Sequence, residues 1–153
     1  MEFGIYTFGD LSTGASGAIG AQRRIEAIVA AARVADEAGI DVFGVGEHHR
    51  ADFAVSSPPV VLGAIAAVTR RMRLTSAVSI LSSEDPVRLY QQFSTLDLIS
   101  GGHAELLVGR GAYVESCPLF GYALADYESL FEEKLALLTC GPDTSERFDE
   151  LWR

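Results

Sequence analysis

Apolar residues along the chain fall into two kinds of segment that take turns. Short, nearly continuous runs rich in β-branched and aromatic residues are followed by longer stretches in which apolar positions recur every three or four residues. The first run, Phe3-Gly4-Ile5-Tyr6-Thr7-Phe8, stops at Gly9-Asp10 and leads into a Gly- and Ser-rich loop from Ser12 to Gly20. It predicts a buried first strand. From Ala21 to Ala38 the residues Ile25, Ile28, Val29, Ala32 and Ala35 keep helical spacing, and Gly39 stands where a helix would end.

The alternation then repeats. Ile40 to Val45 predicts a second strand, and Pro58-Pro59 opens an apolar helix reaching about Arg70, since proline suits the first turn. Leu74 to Leu81 predicts a third strand. Ser82-Ser83-Glu84-Asp85-Pro86 supplies a cap and a first-turn proline for a helix to about Ser100, which Gly101-Gly102 terminates. Ala104 to Val108 predicts a fourth strand, Gly109-Arg110-Gly111 opens a long loop, and Asp126 to Leu138 predicts a fourth helix, acidic early with Lys134 late. Strands that are apolar throughout and alternate with helices indicate a parallel sheet covered by helices, an α/β fold. Residues 1–138 form this unit, and 139–153 read as an irregular C-terminal tail.

Composition narrows the class of partner. The 153 residues are 48% hydrophobic and 22% charged, which suits a globular chain, and the net charge is −9. Nucleic acid and anionic lipid both reward clustered Lys and Arg, so this charge argues for a small-molecule or protein partner, with no nucleic acid and no membrane. No basic, then apolar, leader opens the sequence and no stretch reaches the roughly 20 apolar residues of a membrane span, so the expected location is cytoplasmic. Cys117 and Cys140 lack metal-type spacing and read as reduced thiols.

Ligands of parallel sheets bind at the carboxyl ends of the strands, so the residues after each run carry the candidate chemistry. These are Glu47, His48 and His49 after the second run, Ser79 to Glu84 at the third, and Arg110 after the fourth. Read alone, the histidines are either ordinary loop residues or, with Glu47, a metal site. Three consecutive residues seldom all point inward, which speaks against the metal. Arg110 read alone is either an anion ligand or the partner of Glu105, Glu115 or another surface carboxylate.

Taken together, Gly44-Val45-Gly46-Glu47-His48-His49-Arg50, then Ser82 to Arg88, then Asp97 to Gly102 leading to Gly109-Arg110-Gly111, resemble successive motifs of the bacterial-luciferase-like flavin-dependent monooxygenases, over residues 2 to about 138. The resemblance implies a parallel (β/α) half-barrel, about four βα units and thus the N-terminal half of a barrel that typically has about 250 residues. It implies an oxidoreductase acting with reduced FMN and oxygen on an organic substrate, or one using F420 instead. A non-catalytic flavin-binding or assembly module is the reading of a different class.

By the same resemblance His48 matches a catalytic histidine, with Glu47 and His49 beside it in the pocket and a nearby carboxylate setting its tautomer. Arg110 matches an arginine that reaches the flavin phosphate. Ala77-Val78 matches a non-proline cis peptide that supports the flavin ring, and Tyr6 and Phe8 add apolar surface. The chain is expected to be a truncated form or a half-barrel, and half a barrel is expected to pair, as a homodimer or with a complementing half-barrel.

Overall fold

The computed structural model describes residues 1–11 and 18–139. In chain order its elements are β1 (Gly4–Thr7), α1 (Ala18–Glu37), β2 (Val42–Val45), α2 (Pro58–Ala66), β3 (Arg73–Ser76), β4 (Ser79–Ile80), α3 (Pro86–Ser100), β5 (Ala104–Glu105), β6 (Val108–Gly109), a short α4 (Ser116–Leu119), a 3-10 turn at Leu124–Asp126, and α5 (Tyr127–Thr139). The expected Gly/Ser loop falls largely on residues 12–17, and Cys140 and nearly all of the expected tail on 140–153. Both lie outside the described residues.

Helix ends follow the punctuation in the sequence. Asp85 caps α3 by accepting the Arg88 N–H at 2.8 Å, with Pro86 in the first turn. Gly101 closes the same helix at φ 75°, a left-handed conformation that a side chain would strain. α2 is shorter than expected: it stops at Ala66, and the chain turns before Thr69, whose hydroxyl donates back to the Ile65 carbonyl.

All strand pairs are parallel, and the main sheet has the order β1-β2-β3-β5. The register places Ile5, Phe43, Leu74 and Ala104 side by side on one face, and Tyr6, Gly44 and Thr75 on the other. On the first face Phe43, Val45 and Leu74 pack against Ile28, Ala32 and Ala35 of α1, Leu62 and Ile65 of α2, and Leu89, Phe93 and Leu96 of α3. This single helix-covered layer is the core.

Two expectations about strands are corrected. The third and fourth runs are each broken in two: the peptide Ala77-Val78 is cis, as the resemblance implied, and beyond it β4 leaves β3 to pair with β6 in a separate two-stranded sheet. Ser76 ties the break together by donating to the Leu107 carbonyl at 2.7 Å. The first strand, expected to be buried, is an edge strand with Ile5 43%, Tyr6 53% and Phe8 50% exposed. An apolar run reports that a segment prefers burial, whereas burial itself needs a neighbour on both sides. Among the described residues β1 pairs only with β2.

The expected long loop after β6 contains α4, and α5 is held down from afar. Lys134 donates to the Ser82 carbonyl at 2.9 Å and lies 4.3 Å from the Tyr122 ring centroid. Phe131, Leu135 and Leu138 pack at the core margin.

Candidate active site at the carboxyl ends of the strands

Gly44 and Gly46 are small because aromatic rings of the first strand lie across them. A Cβ on Gly44 would collide with the Tyr6 ring, and one on Gly46 would come within 2.6 Å of Phe8 Cδ1 and 3.0 Å of the Ala77 carbonyl oxygen. Gly109 likewise yields to Val78, whose Cγ2 would stand 2.7 Å from an added Cβ. These glycines let β1, β2 and β6 close around the cis Ala77-Val78 bond.

Beyond Gly46 the side chains alternate, and this separates the three candidate residues. Glu47 and His49 fall on one side, His48 on the other. Glu47 is 4% exposed and its carboxylate is shared between His49 Nε2 at 2.7 Å and the Ile80 N–H at 3.0 Å. The second bond ties β2 to β4 across the break. Burial pushes the Glu47 carboxyl above its ordinary value and the charge of Glu84 adds to this, while the Ile80 N–H and His49 act in the opposite sense. His49 is sealed by Phe120, its ring edge-on at 5.1 Å between centroids.

His48 sits in an aromatic cage. Its imidazole stacks on Phe53 at 4.0 Å and meets Phe8 at 5.4 Å and Tyr113 at 5.5 Å, both edge-on. Desolvation is the main influence on its pKa and lowers it; Glu115 and Asp52 push up, His49 and Arg50 push down. The ring is therefore neutral at pH 7. The carboxylate expected to set the His48 tautomer does not do so: Glu47 binds His49, because residues two apart share a side and adjacent ones do not.

Arg110, at the end of β6, bonds both carboxylate oxygens of Glu128 at 2.6 Å and lies 6.0 Å from the Phe131 ring. The surface carboxylate that engages it comes from α5, not from Glu105 or Glu115. Glu105 pairs with Arg73 at the opposite end of the strands. Among the described residues no cluster of three or more His, Cys, Asp or Glu is placed to share a metal ion. No described helix is long and apolar enough to cross a membrane.

The structure brings together Glu47, His48, His49, Ala77 and Val78 at one end of the sheet, with Arg110 one strand away. Sequence reasoning missed Phe53, Tyr113 and Arg50. Arg50 bonds Asp52 at 2.9 and 3.1 Å, reaches Glu115 at 3.6 Å and stacks 4.8 Å from the Tyr113 ring. The available signal was composition: Arg50 and Phe53 follow the histidines in the loop after β2, and Tyr113 stands in the loop after β6. Ser79, Ser82 and Ser116 carry buried hydroxyls without a hydrogen-bond partner among the described residues.

The family model described as luciferase-like monooxygenase matches residues 1–147. An N-acetyl-S-alkylcysteine monooxygenase of Bacillus subtilis is 35% identical over 111 residues, which is 71% of this chain and 33% of that protein. Among solved structures, a monooxygenase from Streptomyces bottropensis superposes with TM-score 0.78 at 26% identity, over 88% of this chain and 41% of that one. The oxygenating constituent of 3,6-diketocamphane monooxygenase from Pseudomonas putida, solved with FMN, gives 0.80 at 22% identity, over 90% of this chain and 38% of that one. The fold is also that of F420-dependent enzymes, including a secondary alcohol dehydrogenase at TM-score 0.67 and 16% identity, covering 90% of this chain and 40% of that one. The chain spans about a third of the length of the curated relatives it matches.

Proposed function

Because the chain belongs to the luciferase-like monooxygenase family, we propose that it carries the part of a flavin site in which His48 meets reduced FMN, oxygen and a small organic substrate. The observation that carries this reading is the imidazole itself: kept neutral by burial, walled by Phe8, Phe53 and Tyr113, and set at the carboxyl ends of the strands.

The residues present fit a planar ring. The half-exposed rings of Tyr6 and Phe8, lying over Gly44 and Gly46, offer flat surface beside the cis Ala77-Val78 edge, and the Ser79 hydroxyl, without a partner among the described residues, follows directly. Ala77 and Val78 would support the ring edge, and Arg110 would hold the phosphate by exchanging Glu128 for it, which its half-exposed position permits. When bound, reduced flavin supplies the electrons that activate oxygen towards the organic substrate. His48 accepts and returns a proton at its imidazole nitrogen. Glu47 and His49 hold the β2 end against β4, and so keep His48 at its station. The aromatic walls leave it half-buried and limit its contact with water. F420 in place of FMN is the second reading, favoured by the F420-dependent enzymes that share the fold. The open face and the edge of β1 suit pairing with a second copy or a complementing half-barrel.

The test is titration of the purified chain with FMN, reduced FMN and F420, followed by absorbance and by retention on desalting. Retained flavin that is lost in His48→Ala and Arg110→Ala, with folding intact, supports the reading. Binding of F420 alone selects the second. If no cofactor binds and neither substitution changes more than stability, the flavin assignment of this chain fails.

A further inference from the structure

The loop after β2 and the loop after β6 both contribute to the cage around His48, and they differ in how they are held. Phe53 lies in the first, which is knitted to the end of β1: the Leu11 N–H donates to Asp52, the Ala54 N–H donates to Gly9, and Asp10 bridges Phe53. Phe8 belongs to that same β1 end. Tyr113 comes from the second loop, which begins at Gly111 with φ 83°, and it is 40% exposed.

Among the described residues, the polar contacts between these two loops converge on Arg50. Its guanidinium is gripped by Asp52 in its own loop, faces Glu115 at 3.6 Å in the other, and lies 4.8 Å from the Tyr113 ring. Glu115 needs this partner, because its Oε1 is buried and has no hydrogen bond. A guanidinium suits the task, since its plane can stack on an aromatic face while its edge serves carboxylates.

We propose that Arg50 is a positioning residue of the His48 site: it clamps the loop after β6 onto the loop after β2 and thereby fixes Tyr113 as the third wall around the imidazole. The clamp rests on the placing of His48 at the reacting end of the site. It also shapes the charge that His48 meets. Asp52, Glu115, Arg50 and His49 are the charged and titratable groups acting on the ring. Two carboxylates against one guanidinium leave this mouth without net affinity for an anion, which directs it towards neutral or cationic substrate groups.

The experiment reads the free protein and needs no cofactor. His48 is modified with diethyl pyrocarbonate at pH 8, where the imidazole is neutral, and the modified residue is identified by peptide mass. R50M and Y113A are each expected to speed His48 modification about fivefold, and the double variant to be no faster than either, because both open one wall. The His48 proton resonance should titrate at higher pH in R50M, since Asp52 and Glu115 lose their counter-charge and the ring gains water. E115Q breaks the clamp from the other loop and should also speed modification, which covers the case in which R50M does not fold. Unchanged His48 reactivity in R50M and E115Q overturns the proposal, and so do additive effects of R50M and Y113A. Failure to bind FMN would overturn the flavin reading and leave the clamp standing.

Discussion

Glu47 offers the sharpest test of how the site is built. Its carboxylate is nearly sealed from water and holds two groups, the Ile80 N–H at 3.0 Å and His49 Nε2 at 2.7 Å. In Glu47→Ala both are left buried without a partner, at about 1–3 kcal/mol each, so about 2–6 kcal/mol in all. Against a typical domain stability of about 5–15 kcal/mol that is a large fraction. Glu47→Gln keeps an acceptor for Ile80 and an amide towards His49, and should cost about 1 kcal/mol or less in acid, by the usual worth of a hydrogen bond. The pH dependence has a definite sign. The folded-state pKa of Glu47 lies above its unfolded value of 4.5, so the protonated carboxyl is favoured by folding. The stability this confers is fully present below pH 4.5 and is lost as pH rises through the folded pKa, by up to about 1.4 kcal/mol per pH unit. Glutamine cannot titrate. The wild-type advantage over Glu47→Gln should therefore be greatest near pH 4 and shrink or reverse by pH 8. Urea unfolding of the three proteins from pH 4 to 8 measures this, and groups common to all three cancel in the differences. An Ala variant within about 1 kcal/mol of wild type, or a difference from Gln that does not change with pH, would refute the buried-carboxylate account.

Asp36 is the second buried acid, and the opposite sign applies. It accepts the backbone N–H groups of Arg70, Arg71 and Met72 at 3.0, 3.1 and 2.9 Å, and although burial works to raise its pKa, those three donors hold it below 3.8. Asp36→Ala should cost about 3 kcal/mol or more, since three donors lose their acceptor, and the wild-type advantage over Asp36→Asn should be complete above pH 4 and fade as pH falls below it; an Ala variant that melts with wild type contradicts this. Gly46→Ala should destabilise by about 1–3 kcal/mol, the usual range for overpacking, because the added Cβ meets the Ala77 carbonyl, which is backbone and cannot swing away. It should also push Phe8 off His48, visible as a changed His48 resonance; a native-like spectrum and melting point would show that the close approach is not a constraint.

Much of this architecture is written locally. The alternation of runs, the Asp85 cap, the prolines opening α2 and α3 and the glycine closing α3 are short-range signals, and each element forms near its expected place. What escapes a linear reading is whatever depends on a neighbour far along the chain. Nothing in Phe3 to Phe8 says that β1 will have a partner on one side only. Likewise, Leu74 to Leu81 mixes apolar and small polar residues on both sides of the break, so periodicity does not show the switch of β4 to β6, and only the resemblance marked the cis bond where it occurs. Arg110 had several carboxylates within reach of a flexible side chain. Its choice of Glu128, eighteen residues on, depends on where α5 docks, and that is fixed by Lys134 on the Ser82 carbonyl. The pairing of Glu47 with His49 was different: strand-like alternation already places them together.

That alternation also divides the labour between the two histidines. They are adjacent in sequence, yet His49 faces a buried carboxylate and an aromatic lid, whereas His48 is walled by rings, feels Asp52, Glu115 and Arg50 through their charge, and stays half-buried. A histidine locked to a buried acid can hold a strand end in place, but it is poorly placed to exchange protons with a ligand it does not touch. Among the described residues no hydrogen bond engages the His48 ring nitrogens, and its pKa is lowered because charging the ring there is costly. Swapping the two roles would require turning the chain by one residue beyond Gly46, and the Glu47 bond to Ile80 prevents that. On the flavin reading the buried pair therefore fixes which of the two imidazoles reaches the ligand, and His48→Ala should lose flavin retention with little change in stability, while His49→Ala should lose both together.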